Sequence, residues 1–175
     1  HDVICMGDSL PLPFLKYIDM FQDKKVLEIG PGGGRQFIKV KPFTREYAIA
    51  DISTEVLRNS LYENVTQLLI NDYDANFNSL FDIIHFWYVI HHVLREELFS
   101  FRDFLARHLN EKGVILFNTA VLSYPPGAYE NDGCLTTPLT PLEIEDVFSE
   151  KFNFFIKDNS LQTNATGMVM VASKL

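Results

Sequence analysis

The sequence predicts an α/β fold: a doubly wound, mostly parallel seven-stranded sheet with helices on both faces and an antiparallel C-terminal strand. Three observations predict it. Apolar strand-like runs alternate with helix-like stretches through residue 118, the order produced by a parallel sheet with crossover helices. These runs are continuously apolar rather than alternating, which marks strands buried on both faces. Two further runs lie close together at the C-terminus with only polar turn residues between them, as in an antiparallel pair.

Residues 25–29, 47–51, 67–71, 81–87 and 113–118 supply the parallel strands, and residues 152–157 and 167–173 the antiparallel pair at the sheet edge. The segment between Gly34 and the second strand is short and interrupted by Pro42, so the first helix must be short. Ser53 is a good N-cap with Glu55 in the following turn, and it opens a helix to about Tyr62. Leu98, Phe101, Leu105 and Leu109 recur at helical spacing and predict a helix over 98–109, closed by Lys112-Gly113. Residues 121–140, rich in Pro, Gly, Thr and Asn, read as a long loop. Thr140 as cap and Pro141 at the first helical position then open a short helix through Phe148.

A chain of 175 residues suffices for one domain with a sizeable core. We divide it into an N-terminal segment (1–24), a cofactor-binding core (25–119) and an acceptor loop, helix and strand pair (120–175). Hydrophobic residues make up 47% and charged residues 22%, the balance of a folded globular chain. The net charge is −8 and Lys/Arg never cluster beyond Lys24-Lys25, which disfavours a phosphate-gripping, nucleic-acid partner. No apolar run approaches the roughly 20 residues that span a bilayer. Residues 1–10 lack the basic start and apolar centre of a signal peptide, and the chain starts at His1, so we expect a trimmed upstream end. Cys5 and Cys134 form neither a disulfide framework nor a zinc spacing, and free thiols suit a cytoplasmic location.

The richest chemistry lies in Val26-Leu27-Glu28-Ile29-Gly30-Pro31-Gly32-Gly33-Gly34, a buried strand running into a glycine turn and a helix start. Glycines let the backbone bend sharply and approach a ligand with no Cβ in the way. Such loops receive nucleotide-like cofactors beyond the carboxyl ends of the strands. A dinucleotide fingerprint wants its third glycine five residues after the first, and Arg35 stands there instead.

The spacing of Glu28, Gly30, Gly32 and Gly34 resembles motif I (E/D-x-G-x-G-x-G) of the class I, Rossmann-like S-adenosylmethionine methyltransferases. The resemblance continues in register along nearly the whole chain. It implies that Asp51, ending the second strand, accepts hydrogen bonds from the ribose hydroxyls, with Ile52 beside it. Asp72 looks like the family's adenine-contacting acid and Tyr73 like a ring neighbour. Residues 81–93 resemble the fourth strand and the segment after it, with Phe86 and Trp87 at the cofactor and Tyr88 at the acceptor pocket. Residues 109–117 resemble the approach to strand five, although Glu111 replaces the usual Pro and Val114 the second Gly. The final strand pair matches the reversed seventh strand that separates these enzymes from dehydrogenases.

The resemblance implies transfer of a methyl group from S-adenosylmethionine to a small-molecule acceptor by in-line displacement. Holding methyl and acceptor at roughly 3–3.5 Å is then the main catalytic task. A base is needed only if the acceptor must lose a proton. His91 and His92 stand where such a group would face the acceptor, with support of neighbouring residues or helix capping as the alternative. His85, inside a strand, reads as a satisfied core histidine, and His108 as a solvent-facing helix residue. No metal is expected, because the magnesium-dependent relatives need carboxylates after strand four and this chain has His, Trp and Tyr there. Bulky Phe86 and Trp87 suggest a narrow pocket floor.

Tyr124, Asp132 and Cys134 are candidates for lining the acceptor pocket. Pro125-Pro126 after Tyr124 reads as loop stiffening, since the Asn/Asp-Pro-Pro-Tyr motif of amino-methylating relatives follows strand four. The stretch from Tyr124 through the 141–148 helix loosely resembles small-molecule thiol and chalcogen methyltransferases. We expect a monomer or homodimer. Two other functions stay open: a catalytically silent S-adenosylmethionine-binding regulatory or partner subunit, and a nicotinamide-dependent oxidoreductase.

Overall fold

A computed structural model of the protein describes residues 13–119, 129–131, 134–137, 139–160 and 167–175. Its first five strands are β1 (Lys25–Ile29), β2 (Glu46–Asp51), β3 (Thr66–Leu69), β4 (Phe81–Phe86) and β5 (Leu109–Asn118). A short hairpin, β6 (Tyr129–Asn131) and β7 (Cys134–Thr136), is followed by β8 (Phe152–Asp158) and β9 (Val169–Lys174). The main sheet has seven strands in the order β3-β2-β1-β4-β5-β9-β8. β1 to β5 pair in parallel, β9 runs antiparallel to β5, and β8 antiparallel to β9.

The strand order reverses at β1, which carries neighbours on both sides from different crossings, and this puts the ligand crevice at its carboxyl end. Burial explains the apolar runs. Leu27, Ile29, Ala50, Ile84, Phe86, Ile115 and Phe117 face a cluster closed by α3 (Leu98–His108) and α4 (Pro141–Phe148). Val26, Tyr47, Ile49, Ile83 and Leu116 face the other cluster, closed by the 3₁₀ segment Pro13–Phe21 and by α1 (Arg35–Val40) and α2 (Thr54–Leu57). Phe14 and Phe21 of that 3₁₀ segment are fully buried.

Local signals set several boundaries. Ser53 caps α2 through its hydroxyl, and Thr140 with Glu143 forms a complete capping box on α4. Other expectations fail for tertiary reasons. The α2 helix stops at Leu57, because Asn59 accepts from the Leu61 N–H and starts a separate 3₁₀ turn, Ser60–Tyr62. The third strand ends at Leu69, two residues early. Gly113 does not close α3. It lies inside β5, which starts four residues before the expected strand, where Leu109 pairs with Phe81. A Cβ on Gly113 would sit 3.0 Å from the Asn110 carbonyl and 3.1 Å from that of Phe81, so glycine serves close strand approach there. The region read as a long loop contains the β6–β7 hairpin. Among the described residues, no helix is long and apolar enough to cross a membrane.

Candidate functional site

The glycine turn leaves β1 at the crevice. Gly30, Gly32 and Gly34 have φ of 67°, 51° and 82°, a region that L side chains avoid. Gly30 is also hemmed in: a Cβ there would lie 2.6 Å from Val89 Cγ2. Gly32 differs, because a Cβ on it would meet none of the described residues within 4 Å. Its backbone therefore stands clear of them, the condition for a close ligand approach. The Tyr62 hydroxyl holds the turn from behind, donating to the Gly32 carbonyl at 2.9 Å.

Two carboxylates flank the turn. Asp51 ends β2, and its Oδ1 accepts from the Ser53 N–H at 2.8 Å. Glu28 is 2% exposed and accepts from the Tyr47 hydroxyl at 2.7 Å. Burial outweighs that hydrogen bond and lifts the Glu28 carboxyl to about 8. Both acids act on Tyr62, whose phenol is raised chiefly by burial and then by their charges. Beside Asp51, Ile52 leaves 75% of its surface exposed, an apolar face at the rim of the crevice.

Past β3, Asp72 is exposed, and its carboxylate turns back onto the Asp74 N–H at 2.9 Å. Tyr73 is half-buried, with its ring 5.2 Å from Phe101 on α3. Phe86 is a correction. Its side chain is fully buried and stacks on Phe117 at 4.7 Å and 11°, so it offers no surface to a ligand. Trp87 points to the opposite face, packs on Phe14 at 5.8 Å and donates to His85 Nδ1 at 2.9 Å. Neither ring narrows a pocket floor. Both close core layers.

Tyr88 has φ of 61°, strained for a bulky side chain, and its N–H donates to Asn118 Oδ1 at 2.7 Å. The 3₁₀ turn Ile90–His92 follows. Its two histidine rings lie 4.2 Å apart, and the His91 carbonyl accepts from the Thr137 N–H after β7. His92 is exposed. His91 Nδ1 is buried and has no hydrogen-bond partner among the described residues. Burial, with His92 nearby, pushes the His91 imidazole down to about 3 and keeps it neutral. Tyr124 and Asp132 lie outside the described residues, and of Cys134 only the backbone is described.

His85 is a core histidine with both ring nitrogens engaged. His108, expected in solvent, is 1% exposed. Its Nδ1 donates to the Phe104 carbonyl at 2.8 Å and its Nε2 accepts from the Phe77 N–H at 3.1 Å. The loop carrying Phe77 folds over it, a contact no helical spacing announces. Sequence reasoning also missed Tyr47 and Tyr62. Tyr47 shares a face with Glu28, so strand alternation held that signal, whereas Tyr62 arrives from a turn thirty residues on. Among the described residues, no three His, Cys, Asp or Glu side chains gather as a metal site. A hollow of about 380 Å³, lined by Lys25, Lys41, Arg45, Thr66 and Phe81, opens at the amino ends of the strands, away from the crevice.

Residues 8–159 match the family model described as a methyltransferase domain. No curated protein sequence matches the chain. An S-adenosylmethionine-dependent methyltransferase from Clostridium acetobutylicum ATCC 824 superposes with a TM-score of 0.70 at 17% identity, over 96% of this chain and 93% of its own. CalS10, an amino pentose methyltransferase of Micromonospora echinaspora solved with S-adenosylmethionine, gives 0.75 at 12% identity, over 93% and 90%. The 1,6-didemethyltoxoflavin-N1-methyltransferase of Burkholderia thailandensis, solved with that compound and S-adenosylhomocysteine, gives 0.72 at 15% identity, over 91% and 75%.

Proposed function

Since the chain belongs to the methyltransferase-domain family and has the fold of its class I, S-adenosylmethionine-dependent members, we propose that it methylates a small-molecule acceptor. The observation that carries this reading is the glycine turn: at the carboxyl end of β1 the Gly32 backbone stands clear of the described residues, with Asp51 ending the neighbouring β2 and Glu28 two residues before the turn. That donor set fits the cofactor. Acids suit its cationic tail and its ribose hydroxyls, and the exposed Ile52 suits the flat base.

When bound, S-adenosylmethionine supplies an electrophilic methyl group on a sulfonium. The chain's own residues then bind and orient. Asp51 would accept from the ribose hydroxyls, the 30–34 turn would hold the amino-acid tail, and Asp72 and Tyr73 would border the base. Tyr88 and His91 would serve the acceptor. With its conjugate acid near 3, His91 is too weak a base to carry a proton at neutral pH, so it orients the acceptor through a neutral hydrogen bond. Such a site suits an acceptor that arrives already nucleophilic, such as a free amine or a thiolate. The small-molecule class is supported by the net charge of −8, which disfavours nucleic acid, and by the amino pentose and 1,6-didemethyltoxoflavin named for two neighbours of the same fold.

Calorimetry with S-adenosylmethionine, S-adenosylhomocysteine and NAD tests the reading. Binding of the first two and not of NAD is expected, and binding of NAD alone would reinstate an oxidoreductase. Cofactor binding with no turnover across amine, thiol and hydroxyl acceptors would favour the silent subunit.

A further inference from the structure

Glu28 ends a buried chain of four hydrogen-bonded side chains. Trp87 Nε1–H donates to His85 Nδ1 at 2.9 Å, His85 Nε2 meets the Tyr47 hydroxyl at 2.8 Å, and that hydroxyl donates to Glu28 Oε2 at 2.7 Å. An indole N–H only donates, so its contact fixes the neutral tautomer of His85: Nδ1 accepts and Nε2–H donates to Tyr47. The Tyr47 proton is thereby directed at Glu28. Every link points the same way, from Trp87 to the carboxylate.

The fold closes this chain from all sides. His85 lies opposite Glu28 on β4, and Tyr47 reaches over from β2. Phe21 sets an edge on His85 at 5.1 Å, and Phe37 of α1 sets one on Tyr47 at 5.4 Å. The titratable groups facing Glu28 are Tyr47 from β2, His85 from β4 and Tyr62 from the 60–62 turn, which also feels Asp51. Burial keeps His85 neutral, down to about 3, so it brings no positive charge.

We propose that Tyr47, His85 and Trp87 are positioning residues that hold Glu28 so that uptake of a cationic ligand at the glycine turn releases one proton from its carboxyl group. The proposal rests on the reading that this ligand is S-adenosylmethionine, with its sulfonium and ammonium charges. Only the Glu28 O–H bond breaks. The proton leaves to solvent, and the carboxylate remains, held by the Tyr47 hydroxyl two residues before the turn that would carry the ligand's charge.

Trp87 is the single tryptophan of the protein, so its emission reports from the far end of the chain. In the free protein, a pH titration of that emission should show a one-proton transition near 8, the value to which burial lifts Glu28. Glu28→Gln should abolish the transition. Tyr47→Phe should move it to higher pH, because it removes the donor that favours the carboxylate. Saturating S-adenosylmethionine should move the wild-type midpoint down by about one unit or more, which corresponds to a tenfold or larger change in affinity across the window. Should a variant fail to fold, calorimetry of the wild-type protein at pH 7 in buffers of different ionisation enthalpy should find release of roughly 0.4 proton or more per cofactor bound, the amount a shift of about one unit from 8 requires. A wild-type titration without the transition overturns the positioning role. A transition unmoved by cofactor, or binding without proton release, overturns the coupling alone. No binding of S-adenosylmethionine overturns the cofactor reading, and the coupling with it.

Discussion

The Tyr88 N–H and the Asn118 side chain meet at 2.7 Å across the carboxyl ends of β4 and β5, and this contact holds Tyr88 at a φ of 61°. Asn118 is fully buried, whereas the Tyr88 donor is only partly so. Asn118→Ala should cost about 1 kcal/mol, the net worth of one hydrogen bond. Urea unfolding measures this, and an unchanged midpoint would mean that the backbone at Tyr88 is held by something else.

Two glycine substitutions should separate folding from binding. Gly30→Ala adds a clash at 2.6 Å with stiff, β-branched Val89 to the left-handed strain, and should strongly destabilise the fold. Gly32→Ala brings only the strain, of roughly 1–2 kcal/mol, since its Cβ would meet none of the described residues. It should fold and lose cofactor affinity. Thermal melts paired with calorimetry check both, and tight binding by the Gly32 variant would put the ligand elsewhere.

Tyr62→Phe keeps the packing on Phe37, whose ring lies 5.2 Å away, and removes the hydroxyl behind Gly32. Loss of one hydrogen bond within the protein predicts a stability lower by about 0.5–1.5 kcal/mol, and the looser turn predicts a raised cofactor dissociation constant. Asp51→Ala should raise it at least about tenfold, because charge-assisted hydrogen bonds to the ribose are lost. Calorimetry reads both.

Four buried groups set a pH optimum for stability. Burial pushes His85 and His91 from 6.5 down to about 3 and lowers His108 as well, so below 6.5 the unfolded chain binds more protons at these sites and stability rises with pH. Glu28 rises from 4.5 to about 8, so its contribution is present below 4.5 and is lost as pH rises through 8. Between 4.5 and 6.5 the histidines outweigh the glutamate. From these groups, stability should climb with pH up to 6.5 and fall toward pH 8. Urea melts across pH 4.5–8.5 trace the curve, and Glu28→Gln should flatten its alkaline limb.

His91→Ala should leave cofactor binding intact and raise the KM for the acceptor, since a neutral side chain orients rather than carries a proton. The kcat profile of the wild-type enzyme should show no inflection from His91 between pH 5 and 9, because its imidazole is neutral throughout. A wild-type inflection near 6.5 that disappears in the variant would make His91 a proton carrier instead.

Features written within a few residues of each other were legible. The α4 cap reads directly from Thr140, Pro141 and Glu143, and the turn after β1 from its glycines. What failed was decided across the sheet. Gly113 signals a helix stop until Leu109 pairs with Phe81, and nothing near His108 predicts the Phe77 N–H that satisfies it. Phe86 and Trp87 were read as pocket residues from their place in a motif, yet strand alternation sends them to opposite faces, each onto a different layer. In the candidate site, the acids and glycines could be recognised, but the tyrosines that govern them could not, because each acts on a strand or turn distant in the chain.

Asp158, at the end of β8, accepts from both Lys16 and Tyr17, so the 13–21 segment is fastened to a strand laid down near the opposite end of the chain. During synthesis, that segment emerges early, while its fastening to Asp158 can form only once β8 exists. Phe14 and Phe21 then cover Trp87 and His85. A protein cut just before β1 would keep every strand of its sheet yet lose part of the cover on the face that α1 and α2 also close.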